Sequence, residues 1–192
     1  MEKLVNKILE NAEQLYGLDE SQKEIAQYGI QGLLEIGSNI LLSVLILYQM
    51  HMIPEGVVFF LVFIPVRMFS GGYNMDTYVG CLLFSVITLV GILKGAEFLS
   101  FNRMVLFAGV VLMATIIWKL APVIHPSRPV SQEERQKISK KLKISLLIIL
   151  LFFSILWVLE KKHLCHIIFL DFLLIVLMLF LGKIKYKGFN IV

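Results

Sequence analysis

Residues 164–182 read LCHIIFLDFLLIVLMLFLG, and this stretch decides the fold class. Asp171 is its only charged residue, and lysines stand on both sides of it, at positions 161, 162, 183 and 185. A transmembrane helix needs about 20 predominantly apolar residues to cross a hydrocarbon layer about 30 Å thick. The stretch therefore predicts a membrane-spanning helix with a basic boundary at each end.

Five further apolar segments precede this one along the chain. Their predicted limits are residues 30–50, 57–67, 78–93, 104–120 and 144–159. Only 17% of the residues are charged and the mean hydropathy is +0.82, whereas about a quarter of the residues in soluble domains are charged. We therefore predict an all-α polytopic membrane protein with about six helical segments. The second segment is short and contains Pro65, so it is expected to be tilted, broken or re-entrant.

Residues 1–28 carry nine charged side chains, with apolar residues between them at helical spacing. This pattern predicts an amphipathic helix at the membrane interface rather than a cleavable signal peptide. We expect a single membrane-embedded domain over residues 1–192, in which residues 29–183 form the bundle. Residues 121–143 are expected to form a cytoplasmic loop, and residues 184–192 a basic tail.

The distribution of Lys and Arg residues predicts the orientation. In the six-span arrangement, fourteen of the 18 lie on the side of the chain termini, and four lie on the opposite side: Lys94, Arg103, Lys161 and Lys162. Cytoplasmic loops of membrane proteins carry an excess of Lys and Arg. We therefore expect both termini and the turn at residues 67–77 to lie in the cytoplasm.

The richest polar cluster lies between the second and third segments, where residues 67–85 read RMFSGGYNMDTYVGCLLFS. Gly71 and Gly72 allow backbone conformations that other residues avoid, and Arg67 brings a permanently charged donor to the membrane boundary. Cys81 falls in the first turn of the third segment, where free backbone N–H groups favour a thiolate. From these residues alone, a tight cytoplasmic turn followed by a packing cysteine stays an open alternative.

The spacing of Arg67, Gly71-Gly72-Tyr73, Cys81 and Ser85 at the entry to a membrane helix resembles the accessory gene regulator B (AgrB) family. Members of that family are membrane cysteine endopeptidases that process quorum-sensing propeptides. The similarity extends to the chain length, the amphipathic start, a proline-containing stretch at residues 121–129 that precedes a basic run, and a lysine-rich end.

The resemblance implies a role for each of these residues. Cys81 would attack a peptide carbonyl near the C-terminal part of a small amphipathic propeptide and form a thioester. A Cys or Ser side chain of the substrate would then displace the enzyme and close a thiolactone or lactone ring. Arg67 would steady the substrate carboxylate or the developing oxyanion, and Ser85 would orient the reacting pair.

Position 74 departs from the family pattern. The family places its catalytic His seven residues before the Cys, and this chain has Asn74 there. Asn cannot take the thiol proton, because its side chain has no pKa near neutrality. We therefore interpret the chain as an inactive His-to-Asn form. An engineered and a natural origin both stay open, as does replacement of the missing base by His125.

The spacing of position 74 and Cys81 also constrains the backbone. Seven residues span about 10 Å along a continuous helix, whereas a base must approach the thiol to about 3 Å. The two positions therefore cannot share one regular helix. We predict that Gly71 and Gly72 break the chain, that the helix carrying Cys81 begins at or after Asp76, and that Asn74 folds back toward the thiol from a loop.

A second polar feature follows the fourth segment. Ser131 and Glu134 have the spacing of a capping box and predict the start of a short helix. Lys137, Lys140 and Lys141 on this helix are candidates for contacts with the propeptide or with anionic lipid. An ordinary positively charged cytoplasmic loop is the alternative.

No cofactor, metal site or nucleic-acid surface is predicted, and Cys81 and Cys165 lie in apolar segments, so no disulfide framework is expected. The expected partners are the propeptide and the lipid bilayer, while a homodimer stays open. Two other functions also stay open. One is a propeptide-binding protein without catalysis, suggested by Asn74, and the other is a small transporter, suggested by Glu35 and Asp171 inside apolar segments.

Overall fold

The computed structural model describes residues 19–73, 75, 77–123 and 130–186. Six helices make up this part of the chain, and no named strand occurs in it. They are α1 (Glu20–Met50), α2 (Ile53–Ser70), α3 (Tyr78–Phe98), α4 (Arg103–Leu120), α5 (Gln132–Val158) and α6 (Lys162–Tyr186). The prediction of an all-α polytopic membrane protein is confirmed, because α2 to α6 are each long and apolar enough to cross a bilayer.

The first predicted segment is the exception among the apolar stretches. Among the described residues, its apolar helical part is Ile36–Met50, which is shorter than the apolar parts of α2 to α6. α1 itself begins earlier, where Asp19 Oδ1 accepts a hydrogen bond from the Gln22 backbone N–H at 2.8 Å and Gln22 Oε1 accepts one from the Asp19 backbone N–H at 3.2 Å. This reciprocal pair caps the helix in the manner of a capping box.

Two compact units divide the chain, residues 1–49 and residues 50–192. Nearly all of α1 belongs to the first unit, and α2 to α6 form the second. The amphipathic helix predicted for residues 1–28 falls mostly on residues 1–18, which lie outside the described residues. The organisation as a single domain stays a prediction.

α6 is the central helix of the second unit, since it contacts each of α2, α3, α4 and α5. Its buried side chains form a broad face, and five apolar ones have no exposed surface: Ile167, Ile168, Phe172, Ile175 and Leu179. In a bilayer, lipid could also cover an apolar face, so this burial reflects the close packing of α6 against its neighbouring helices. The stretch that predicts the fold class is therefore also the core of the bundle.

α2 is the helix that contains the second predicted segment, which is short and includes Pro65. It is one continuous helix of 18 residues, from Ile53 to Ser70. At 1.5 Å per residue its length is about 27 Å, close to the thickness of the hydrocarbon layer. Pro65 lies inside α2 without ending it. The broken form expected from the sequence is therefore wrong, because a proline removes one backbone donor and the remaining turns still hold the helix.

α5 differs from the short helix predicted after Ser131. The cap is confirmed, since Ser131 Oγ accepts a hydrogen bond from the Glu134 backbone N–H at 3.2 Å. The helix then continues for 27 residues to Val158, so the basic stretch and the membrane span form one element. Leu142 and Leu146 carry the buried face across the junction, which is the reason the helix does not stop. Only residues 121–131 of the predicted loop at 121–143 precede this helix.

Candidate active site

The backbone reverses at two glycines directly after α2. Gly71 has φ +67° and Gly72 has φ +111°, both in the region that residues with a Cβ rarely adopt. Gly71 closes the helix, since its N–H donates to the Arg67 carbonyl at 3.2 Å. The predicted break in the chain at Gly71 and Gly72 is confirmed. We call residues 71–73 the glycine turn.

The glycine turn is paired with the segment that follows α4. The Val123 N–H donates to the Ser70 carbonyl at 2.8 Å, and the Gly72 N–H donates to the Val123 carbonyl at 3.1 Å. A Cβ added to Gly71 would overlap the Val123 carbonyl, so no larger residue fits here. The two sequence features that carry the family resemblance, the turn and the proline-containing stretch, therefore meet in space. Residues 124–129 of that stretch, which include His125, lie outside the described residues.

The same turn crosses α6 at a third glycine. The Tyr73 N–H donates to the Met178 carbonyl of α6 at 2.9 Å. A Cβ added to Gly182 would lie 2.7 Å from both the Gly72 carbonyl carbon and the Tyr73 nitrogen. A Cβ cannot come so close to backbone atoms. The turn can therefore pack against α6 at position 182 because Gly182 has no side chain.

Arg67 holds the glycine turn from the α2 side. Its Nη1 donates to the Gly71 carbonyl, and its Nη2 donates to the Tyr73 carbonyl at 2.5 Å. Arg67 is thus a positioning residue for the turn. Its contact with a substrate carboxylate or oxyanion stays a prediction.

Cys81 is presented by the first turns of α3. α3 begins at Tyr78, and the Thr77 hydroxyl caps it by accepting a hydrogen bond from the Gly80 N–H at 3.2 Å. The predicted start at or after Asp76 is confirmed. The Cys81 thiol is free and exposed, whereas Cys165 is free and buried.

Ser85 stands one helical turn after Cys81. Its hydroxyl donates to the Cys81 backbone carbonyl at 2.9 Å, as serines inside helices commonly do. The recorded bond of Ser85 goes to the Cys81 backbone and not to its thiol. The predicted role of Ser85 in orienting the reacting pair therefore stays a prediction. Asn74 lies outside the described residues, so its predicted return toward Cys81 stays a prediction.

The predicted lysines of α5 have different surroundings. Lys141 Nζ lies 6.0 Å from the centre of the Phe69 ring, near the end of α2, while Lys137 pairs with Glu133 of its own helix at 2.8 Å. Lys140 is exposed. Of the three, Lys141 is therefore the one that the fold brings next to the element leading into the glycine turn.

Sequence reasoning missed three residues of this site: Val123, Gly182 and Lys185. Lys185 Nζ lies 4.7 Å from the centre of the Tyr73 ring, at the distance of a cation–π contact. Gly182 is the one with a usable signal, because an isolated glycine inside an apolar helix often marks the close approach of another backbone. The roles of Val123 and Lys185 follow only from the packing of the helices.

The buried acid of α6 lies away from the glycine turn. Asp171 has no exposed surface, and neither carboxyl oxygen has a hydrogen-bond partner among the described residues. The side chain of Glu35 lies outside the described residues, so the transport alternative depends on Asp171. Within the described ranges, no group of three or more His, Cys, Asp and Glu residues could hold a metal ion.

Comparisons with known proteins agree with the family resemblance of the sequence. The model of the family described as accessory gene regulator B matches residues 1–179. A protein of Clostridium perfringens (strain 13 / Type A), named as an AgrB-like protein 2, is 30% identical over 186 residues, which cover 88% of this chain and 86% of the relative. An AgrB-like protein of Clostridium perfringens (strain SM101 / Type A) is 28% identical over 163 residues, covering 81% and 76% of the two chains. No solved structure is significantly similar.

Proposed function

The chain belongs to the accessory gene regulator B (AgrB) family, and on that premise we propose that it is a membrane cysteine endopeptidase, present here with an inactive catalytic pair. Its substrate is a short amphipathic propeptide, which the active form cleaves near the C-terminal part and closes into a thiolactone or lactone ring. The nucleophile is Cys81. Position 74 holds the base when it is His, and Asn74 leaves the pair without one.

One observation supports this function above the others. The glycine turn is tied to α2 through Arg67, to the α4–α5 connection through Val123 and to α6 through Met178, and it leads within a few residues to an exposed thiol at the start of α3. A packing cysteine has no need of an exposed position. Catalysis does need a rigid loop of this kind, because reacting groups must be held in a fixed geometry.

The proposed reaction has two steps. In the first, the Cys81 sulfur bonds to the substrate carbonyl carbon, the C–N bond breaks, and the leaving amine takes the thiol proton through the base at position 74. In the second, a substrate thiol or hydroxyl attacks the thioester, forms the ring bond and releases the Cys81 thiol. With Asn74 the proton of the first step has no acceptor, so the chain binds the propeptide and stalls.

Binding to the existing Asn74 chain is tested by protection of Cys81 from alkylation. We expect saturating propeptide to slow the reaction of N-ethylmaleimide with Cys81 several-fold, measured by peptide mass, because the bound substrate covers the thiol. Cys165 is the internal control, since it is buried and should react only after denaturation. A scrambled propeptide should give no protection. Equal alkylation rates with and without propeptide would contradict the proposal that this chain binds the propeptide. Cleavage is tested separately, by placing His at position 74.

The glycine turn is proposed to face the cytoplasm. The hydrogen bonds between the turn, Val123 and Met178 bring the C-terminal ends of α2, α4 and α6 to one end of the unit. Nine described basic residues belong to this end: Arg67, Lys119, Arg135, Lys137, Lys140, Lys141, Lys143, Lys183 and Lys185. The opposite end has four, Lys94, Arg103, Lys161 and Lys162. The excess of positive charge favours a cytoplasmic position for the turn.

This orientation is tested with a membrane-impermeant maleimide on sealed cells. In a Cys81→Ser background, Lys162→Cys should be labelled from outside, whereas Gln136→Cys should be labelled only after lysis. Both positions are exposed, so accessibility to solvent is matched. Labelling of Gln136→Cys in sealed cells would reverse the proposed orientation.

A propeptide-binding protein without catalysis is the second candidate, and Asn74 is the observation that favours it. The two candidates share the binding surface and differ only in whether the chain with His at position 74 cleaves. A chain that binds the propeptide and stays inactive after that exchange would be a binding protein.

A further inference from the structure

A cavity of about 460 Å³ lies at the end of the unit opposite to the glycine turn. It is formed where α4 and α6 begin and α5 ends, and its lining includes Arg103, Trp157, Lys161, Lys162 and His166. Its volume is within the range of small-molecule sites, about 300–1,000 Å³. None of the residues of the proposed peptidase site lines it, so its presence needs a separate explanation.

The charge of the cavity is positive. Three of the four Lys and Arg residues at this end line it, namely Arg103, Lys161 and Lys162, against the single acid Glu160. Arg103 is held in place: Nη1 donates to Glu160 at 2.9 Å, Nη2 donates to the Trp157 carbonyl at 2.6 Å, and the guanidinium lies 4.0 Å from the centre of the Trp157 ring. The two lysines are exposed at the rim. After Arg103 is balanced by Glu160, the lysines leave a formal charge of +2, which suits an anionic group.

A histidine also forms part of the cavity wall. His166 lines the cavity and is only 6% exposed, and its Nε2 has no hydrogen-bond partner among the described residues. Leaving a buried polar atom unpaired costs free energy, so such atoms normally have a partner. His166 is therefore a polar side chain next to the two lysines in a wall that is otherwise partly apolar.

The surroundings of the cavity are apolar and exposed. Phe98, Met104 and Val158 are at the helix ends that border it, and they are 84%, 70% and 66% exposed. In a membrane protein such side chains face lipid, and a tryptophan such as Trp157 is typical of the membrane–water boundary. The ligand that fits both features has an anionic head and an apolar tail.

We propose that this cavity binds the phosphate of an anionic phospholipid, with Lys161, Lys162 and His166 around the headgroup and the acyl chains along the exposed apolar side chains. Lys and Arg side chains near a membrane surface attract anionic lipid headgroups through their charge. Occupation would join the ends of α4, α5 and α6 at the face opposite to the glycine turn. The proposal does not depend on peptidase activity.

Trp157 is the reporter for the test, because the chain has two tryptophans and the other can be removed as Trp118→Phe. In bilayers of phosphatidylcholine, small fractions of brominated phosphatidylglycerol should quench Trp157 emission more strongly than equal fractions of brominated phosphatidylcholine. Lys161→Ala/Lys162→Ala should weaken this preference, by about fivefold for each lysine. The charge-matched control Lys119→Ala/Lys183→Ala, at two exposed positions of the other end of the unit, should retain it.

The comparison of the two lipids needs no variant in the cavity, so it is informative even if a double variant fails to fold. Equal quenching by both lipids would overturn the proposal, as would an equal loss in both double variants. Displacement of phosphatidylglycerol by millimolar inorganic phosphate would assign the cavity to free phosphate and overturn the lipid assignment.

Discussion

Replacing Asn74 with His is expected to turn an almost silent chain into one that cleaves its propeptide, with a rate increase of about 10²–10⁴-fold. The exchange adds a group that can take the thiol proton and later give it to the leaving amine, and it leaves the anchored backbone of the turn unchanged. Cleavage is measured by the masses of the propeptide fragments after incubation with the purified full chain in lipid.

The control for this exchange is the double change Asn74→His/Cys81→Ala, which should abolish cleavage and keep propeptide binding. Asn74→Gln is a second control, since it changes the size of the side chain without adding a base. Cleavage that persists without Cys81 would assign the reaction to another nucleophile. An inactive Asn74→His chain that still binds would instead support the binding protein.

Gly182→Ala, made in the active Asn74→His chain, is expected to reduce cleavage about 100-fold. The added Cβ would lie 2.7 Å from the Tyr73 nitrogen and from the Gly72 carbonyl carbon, so the turn must move away from α6. The Tyr73 bond to the Met178 carbonyl would lengthen, and the loop that carries position 74 begins there. A displacement of about 1 Å at a reacting group can cost about 100-fold in rate.

Gly91→Ala is the matched control for Gly182→Ala. It also adds one methyl group to a glycine inside a transmembrane helix, but a Cβ at Gly91 would have no other atom within 4 Å. We expect this variant to cleave at the parent rate. Both variants should unfold at similar temperatures in detergent if the effect of Gly182→Ala is local to the turn. Unchanged cleavage in Gly182→Ala would show that the position of the turn against α6 does not matter for the reaction.

The helices were predictable from the sequence to different degrees. The apolar stretch at 164–182 stands out by composition alone, and α6 covers it with a few residues to spare at either end. Two expectations were wrong: a break at Pro65, which was one of three forms expected for the second segment, and a short helix after Ser131. In both cases the sequence contains residues that can end a helix. The helix continues because an apolar face is buried both before and after those residues.

The residues of the candidate active site were also predictable from the sequence to different degrees. Gly71, Gly72 and the start of α3 could be predicted because a seven-residue separation on a regular helix excludes contact between position 74 and Cys81. Arg67 was expected to face the substrate, and the structure shows it donating to the carbonyls of the turn. The spacing of residues indicates that Arg67 lies near the turn. It does not show which backbone carbonyls accept hydrogen bonds from Arg67.

The sequence by itself determined the membrane class, the central apolar span, the glycine break and the family, because polarity and backbone freedom are properties of each residue and its neighbours in the chain. Only the tertiary structure decided that the turn rests on Val123 and Gly182, that Lys185 covers Tyr73, and that Arg103, Lys161 and His166 surround one cavity. Those contacts join segments far apart in the chain. They depend on how α2, α4, α5 and α6 pack, and no local spacing of residues encodes that geometry.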